Sequence, residues 1–249
     1  AARRLLRRAP VVTVPSEGLV RWMGERTGVD LERVAHVVPH LGLPPPPDLP
    51  AIDDEIAWPD RPFVVCHVGA LLSGRDPVVL LRGWRLLVEA EPDAARDVGI
   101  AVVGSVDRRH QHDDWPVLLD GTPWREAVTI AGHRVPQDVA QAASRRGTVG
   151  LVLESRDPTS PFLPAKVADL LVGGKPILAL TPAGSPTAEL LGDEHPLRVD
   201  PGDAAGVARA LRTAWQAWRD GDLDALAPPA GAGDRVSVLA VGEALDAAL

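Results

Sequence analysis

Apolar and polar positions follow two rhythms along the chain. Short apolar, β-branched runs read as strands: VVTV (11–14), VAHVV (34–38), FVVCHVG (63–69), GIAVVG (99–104), VTIAG (128–132), VGLVL (149–153), PILAL (176–180) and LRV (197–199). Helical patterns lie between them, at Ser16 to Arg26, Pro77 to Ala90, Pro136 to Ser144, Pro164 to Leu171, Ser185 to Leu191, Asp203 to Arg219 and Val236 to Leu249. Proline or a capping residue opens most of these helices. Strands and helices that alternate in this way form βαβ units, which predicts an α/β fold with a parallel sheet.

The tract LPPPPDLP, Leu43 to Pro50, predicts a stiff, extended stretch between the first two strands and the other six. The expected organisation is a short unit over 1–42, a proline-rich linker over 43–62, a six-strand block over 63–226 and a C-terminal helix over 227–249. Two strands and one helix cannot cover both faces of a parallel sheet, so residues 1–42 are expected to be the tail of a larger domain. The six-strand block, by contrast, makes a complete doubly wound, Rossmann-like unit. Such a sheet binds its ligand beyond the carboxyl ends of the strands.

Composition removes several function classes. The 34 acidic against 26 basic side chains leave a formal charge of -8, which argues against broad binding to nucleic acid. Cys66 is the single cysteine, so neither an internal disulfide nor a Cys-x-x-Cys metal pair exists, and a reducing cytoplasm fits. No window approaches the roughly eighteen apolar residues of a membrane span, and AARRLLRRAP lacks the apolar core of a signal peptide. Arg3, Arg4, Arg7 and Arg8 suit contact with anionic lipid, although an ordinary basic helix face accounts for them more simply.

Two loops carry candidate chemistry. In GALLSGRDP, Gly69 and Gly74 have the spacing of a phosphate loop, but Arg75 and Asp76 stand where a triphosphatase needs lysine and a hydroxyl. A glycine loop, an arginine and a helix start remain. Arg75 can grip a diphosphate through paired hydrogen bonds, or it can simply pair with a nearby acid.

In SPFLPAKVADLLVGGKP, Ser160 offers a helix cap, Lys166 sits at the positive helix end, and Asp169 follows on the same face. A nucleoside diphosphate wants that pairing, with a cation for phosphate and a carboxylate for ribose hydroxyls. From chemistry alone an i, i+3 surface ion pair of Lys166 with Asp169 explains it slightly better. His110, His112, Asp113 and Asp114 of RRHQHDD (108–114) are metal-ligand types in what reads as a solvated loop, so no metal or cofactor is expected. His67, beside the glycine loop, suits either the core or the ligand. Trp84, Trp215 and Trp218 fall on helical patterns and read as packing.

Five segments resemble, in order, the C-terminal half of GT-B glycosyltransferases of the retaining family-4 type. They are VPSEGLVRWMGERTGVDLERVAHVVPHLGL, VGALLSGRDPVVLLRGWRLL, IAVVG, VTIAGHRVPQDV and PFLPAKVADLLVGGKPILALTPAGS. The resemblance implies that the block binds a nucleotide-diphosphate sugar and that residues 1–42 end an acceptor domain whose earlier part lies outside this sequence. It implies that Gly69, Gly74, Arg75 and Lys166 approach the diphosphate. Ser160 and the amides near Phe162 and Leu163 would border the phosphates and sugar.

By the same resemblance Arg134 and Val135 would lie against the base and Asp169 would bind the ribose. Pro161 replaces the acid that usually precedes Asp169 by eight residues. Arg75 and Lys166 would stabilise the departing diphosphate without a metal. The acceptor would be a carbohydrate, a lipid-linked sugar or a small molecule, with peripheral membrane contact through the N-terminal domain. Residues 1–249 alone would bind donor but transfer little. The competing expectation is a nucleotide-sugar binding or regulatory module without turnover, and more distantly a GT-B-like epimerase.

Overall fold

The computed structural model describes residues 1–72, 74–75, 77–107, 119–120, 122–192 and 194–249. Asp76 and the RRHQHDD segment lie outside the described residues. All eight expected strands form: β1 (Val12–Val14), β2 (Ala35–Val37), β3 (Phe63–Val68), β4 (Val98–Val103), β5 (Val128–Ala131), β6 (Val149–Leu153), β7 (Ile177–Leu180) and β8 (Arg198–Val199). The helices are α1 (Ala2–Leu6), α2 (Glu17–Thr27), α3 (Val78–Ala90), α4 (Pro92–Asp97), α5 (Gln137–Arg146), α6 (Lys166–Val172), α7 (Pro186–Leu191), α8 (Ala204–Asp220) and α9 (Val238–Asp246).

Six strands form one parallel sheet in the order β5-β4-β3-β6-β7-β8. The chain starts at the centre with β3, builds outward to β5, then crosses to β6 on the other side of β3. That reversal creates the crevice in which doubly wound sheets bind ligands. The two-residue period of the strands sends alternate side chains to opposite faces. Phe63 and Val65 of β3 join Ile100, Leu151 and Leu178 beneath α3 and α8, while Val64 and Cys66 face Ala101, Val103 and the α5 residues Val139 and Ala143. Val152, Ile177 and Ala179 meet Val167, Leu170 and Leu171 of α6.

The tryptophans pack as expected. Trp84 is fully buried, donates Nε1–H to the Val98 carbonyl at 3.1 Å and meets Trp124 edge-on at 6.3 Å. Trp215 donates to Asp97 at 3.0 Å, and Trp218 lies 5.7 Å from the Phe63 ring.

Four features depart from the sequence expectation. First, α6 begins at Lys166 with Ala165 as its N-cap, and Ser160 does not cap it. A residue before proline is driven to extended backbone, so Pro161 and Pro164 delay the helix past both. Second, α1 and α4 span only 5 and 6 residues, too short to show a 3.6-residue pattern. Third, the C-terminal helix is broken: a 3-10 turn at Asp234–Val236 precedes α9, which Ser237 caps through the Ala240 N–H at 3.3 Å. Fourth, the segment after the proline tract is packed down, with Ile52 and Ile56 buried against the sheet face that α5 covers.

Strands β1 and β2 pair with each other in parallel, apart from the large sheet. Ser16 caps α2 by accepting the Leu19 N–H at 3.2 Å. No helix among the described residues is long and apolar enough to cross a membrane.

The apposition of α3 and α8 at Gly83 makes a prediction whose sign decides it. A Cβ at Gly83 of α3 would stand 2.5 Å from Val207 and 2.7 Å from the Ala204 carbonyl of α8. Helix propensity alone favours alanine over glycine by about 1 kcal/mol, and overpacking costs about 1–3 kcal/mol. Gly83→Ala is therefore expected to destabilise the chain in urea unfolding; a rise in stability would show that α3 and α8 are less tightly apposed.

Candidate functional site

Three buried polar side chains of the six-strand block, His67, Glu154 and Thr181, lie where β3, β6 and β7 end. At the end of β3, the His67 ring is fully buried, with Nδ1 3.1 Å from the Leu151 carbonyl oxygen. A carbonyl only accepts, so Nδ1 carries the proton and Nε2 is left as an acceptor. The Lys166 Nζ lies 2.8 Å from that Nε2 and donates to it. This chain of bonds fixes a neutral histidine. Burial, reinforced by the neighbouring Lys166 cation, holds the His67 pKa well below its ordinary value.

Lys166 is thus a cation seated on a neutral ring. Burial, and then repulsion from Arg75, lowers its pKa to about 7, so near neutrality the ammonium and the amine are both populated. An anion placed beside it would pull the equilibrium toward the ammonium. Gly69 makes this arrangement possible. Its φ is 127°, and a Cβ there would stand 3.0 Å from the Lys166 Nζ. The expected Lys166–Asp169 ion pair does not form, since Asp169 Oδ1 instead accepts the Leu43 N–H at 3.0 Å.

A cavity of about 770 Å³ collects six of the sequence-predicted residues: Gly69, Arg75, Ser160, Phe162, Leu163 and Lys166. Its far wall comes from α2. Trp22 of that helix meets the half-exposed Phe162 ring at 5.8 Å and carries the Arg26 guanidinium 5.2 Å from its own ring centre. Gly74 does not line the cavity but shapes its rim. With φ at 86°, its missing Cβ lets the glycine loop approach Ser155, whose Oγ would be 2.9 Å away.

Asp169 and Lys166 both line a second cavity of about 230 Å³ between α5 and α6, together with Cys66 and Lys175. Burial raises the Cys66 thiol to about 12, so the thiol stays protonated and unreactive. Lys175 closes the end of α5 by donating to the Ser144 and Arg145 carbonyls, at 3.0 and 2.7 Å, and to Gly147. Arg134 and Val135, on the loop after β5, line neither cavity; Arg134 is exposed and Val135 packs beside the α5 core.

The sequence reading missed Glu154. This carboxylate follows β6, is only 5% exposed, and accepts from Thr181 at 2.8 Å and from Thr187. Burial raises its pKa, while the two hydroxyls and the Arg75 charge pull it back. The available signal was an acid directly after five apolar strand residues.

Comparison with known proteins identifies the fold. No protein-family model matches the chain, and no curated protein matches it in sequence. Solved structures do match. Anabaena HepE in complex with UDP and glucose superposes with a TM-score of 0.71 at 17% identity, covering 98% of this chain and 64% of that one. An alpha,alpha-trehalose-phosphate synthase (UDP-forming) from Burkholderia vietnamiensis gives 0.63 at 16% identity, covering 96% and 61%. The C-terminal domain of a group 1 family glycosyl transferase from Francisella tularensis gives 0.56 at 14% identity, covering 78% of this chain and 96% of that domain. The chain thus spans less than two thirds of the length of the first two. The likeness is one of fold, and the six-strand block has the Rossmann-like architecture of a GT-B C-terminal domain.

Lys166 makes stability depend on pH with a definite sign. Its folded pKa of about 7 lies below the ordinary 10.5, so between these values the unfolded chain holds more protons. Stability then rises with pH across that window, by at most about 1.4 kcal/mol per pH unit. Urea unfolding of wild type between about pH 7 and 8.5 should show a steeper rise than Lys166→Met. Parallel pH profiles would mean that Lys166 titrates normally.

Proposed function

We propose that this chain is the donor-binding part of a glycosyltransferase, taking a sugar from a nucleotide-diphosphate sugar. The observation that carries the proposal is the Lys166 ammonium, which is bonded to a neutral His67 rather than to a carboxylate and borders a cavity that Arg75 also lines. A buried cation without a bonded counter-ion costs stability unless an anion completes it. A diphosphate supplies that anion. The solved neighbours, one with UDP and glucose and one with UDP-glucose, support the choice.

In this scheme Lys166 and Arg75 hold the diphosphate and stabilise the charge it acquires as its bond to the anomeric carbon breaks. The acceptor hydroxyl oxygen then bonds to that carbon, and its proton passes to the departing diphosphate. We place the ribose at Asp169, whose first oxygen is fixed by Leu43, and the base toward Arg134 and Val135. Retention of configuration and metal independence belong to this proposal, as does the assignment of residues 1–42 to a facing acceptor domain. The acceptor itself is a carbohydrate, a lipid-linked sugar or a small molecule.

Charge-assisted hydrogen bonds contribute about 1.5–3 kcal/mol each, equivalent to roughly tenfold or more in affinity. Calorimetry with UDP, GDP and ADP should find one that binds, and Arg75→Ala and Lys166→Ala should each weaken it at least about tenfold. Unchanged titrations for both variants would remove the site. Appearance of free nucleotide from the sugar nucleotide separates a transferase from a module that only binds.

Asp169 has its own test. Asp169→Asn should weaken the ribonucleotide but leave its dideoxyribose analogue nearly unchanged. Equal losses for the two ligands would assign Asp169 to holding Leu43 alone.

A further inference from the structure

We propose that Glu154 recognises hydroxyl groups of the sugar carried on the diphosphate, an inference that rests on the donor reading above. Glu154 shares the cavity of about 770 Å³ with Arg75 and Lys166 but enters it from β6. The cavity therefore has a cationic part, where Lys166 meets Gly69, and a separate carboxylate that a diphosphate would avoid. A neutral polyol fits beside that carboxylate, because each hydroxyl donates a hydrogen bond that a carboxylate accepts.

The side chain is held ready for this. Oε2 accepts from Thr181 at 2.8 Å and Oε1 accepts from Thr187, while the Glu154 N–H donates to the Leu180 carbonyl at 3.0 Å. The Thr181 hydroxyl lies 2.6 Å from Ser185 Oγ, and Ser185 accepts the Ala188 N–H at 3.1 Å as the cap of α7. Both threonines are buried, and the carboxylate cannot turn away without breaking this array. An ionised carboxylate offers about four acceptor positions, and the two hydroxyls fill only one on each oxygen. Glu154 lines the cavity, and this remaining capacity is assigned to the ligand.

Burying an acid against two neutral hydroxyls is an expensive way to fill space. Apolar side chains would serve packing better. The other carboxylate on the wall offers no substitute, since Asp157 is exposed and folded back onto Thr159 at 2.7 and 2.9 Å, and Pro161, Phe162 and Leu163 carry no hydrogen-bonding side chain. Glu154 is accordingly a residue that sets donor specificity rather than one that holds the nucleotide.

The experiment compares a nucleoside diphosphate with its sugar conjugate, using UDP with UDP-glucose, or the GDP-mannose or ADP-glucose pair if the wild type prefers that base. Glu154→Gln keeps size and shape, so both threonines retain a partner. Its dissociation constant for the sugar nucleotide is expected to rise about tenfold, while that for the bare diphosphate stays within about twofold. Deoxy-sugar analogues lacking the recognised hydroxyl should bind wild type weakly and be indifferent to Glu154→Gln. Equal losses for the two ligands would reveal a structural acid, and no loss would show an acid outside the site; either overturns the assignment while the donor reading stands. Failure of the wild-type chain to bind any of the nucleotides overturns both.

Discussion

A parallel sheet covered on both faces leaves its strands no place for polar side chains except at their ends. That constraint organises this molecule. The four central strands β4, β3, β6 and β7 bury apolar residues on both faces, and three buried polar groups appear as a strand finishes: His67 one residue before β3 ends, Glu154 directly after β6, Thr181 directly after β7. There the sheet's own hydrogen-bonding capacity is available to them, as when His67 reaches across to the Leu151 carbonyl. Lys166 comes from outside the sheet and finds the one acceptor His67 has left.

The unit formed by β1, α2 and β2 holds this region from the other side. Ser16 donates to the Pro161 carbonyl at 2.9 Å, His40 Nε2 to the Leu163 carbonyl at 3.1 Å, and the Leu43 N–H to Asp169. Gly42 passes so close to α6 that a Cβ would stand 2.4 Å from the Ala168 carbonyl. The segment from Pro161 to Asp169 is therefore gripped twice, by the first 43 residues on one side and by His67 through Lys166 on the other. The cavity of about 770 Å³ is bounded by both grips, which ties its shape to the placement of α2.

Much of the fold was legible in the sequence because strands buried on both faces appear as unbroken apolar runs. The start of α6 was not, because Ser160 looks like a cap while Pro161 and Pro164 forbid the helix that it would cap. Lys166 was legible as a cation near a helix start, but its partner was not. Its contact with His67 joins residues 99 positions apart and arises only when β3 and β6 lie side by side. Glu154 was hidden for the same reason, since Thr181 and Thr187 reach it through the pairing of β6 with β7. The clustering of Gly69, Arg75 and Lys166 followed from placing their loops at strand ends, whereas Arg134 and Val135 rested on resemblance, and neither cavity includes them.

Two of the three bonds that reach the Pro161–Asp169 segment from the first 43 residues end on main-chain oxygens, those of Pro161 and Leu163. A carbonyl presents the same acceptor whatever side chain its residue bears. These two hydrogen bonds are thus blind to the identity of Pro161 and Leu163, whereas the Phe162 side chain meets Trp22 as well as lining the cavity wall. Leu163 is committed to the core with Val167 and Leu170, so the half-exposed Phe162 is the side chain of the three whose replacement would alter what the cavity admits while both hydrogen bonds persist. Within a single short loop the face of the cavity is written in side chains, while the hydrogen-bonded connection is written in backbone.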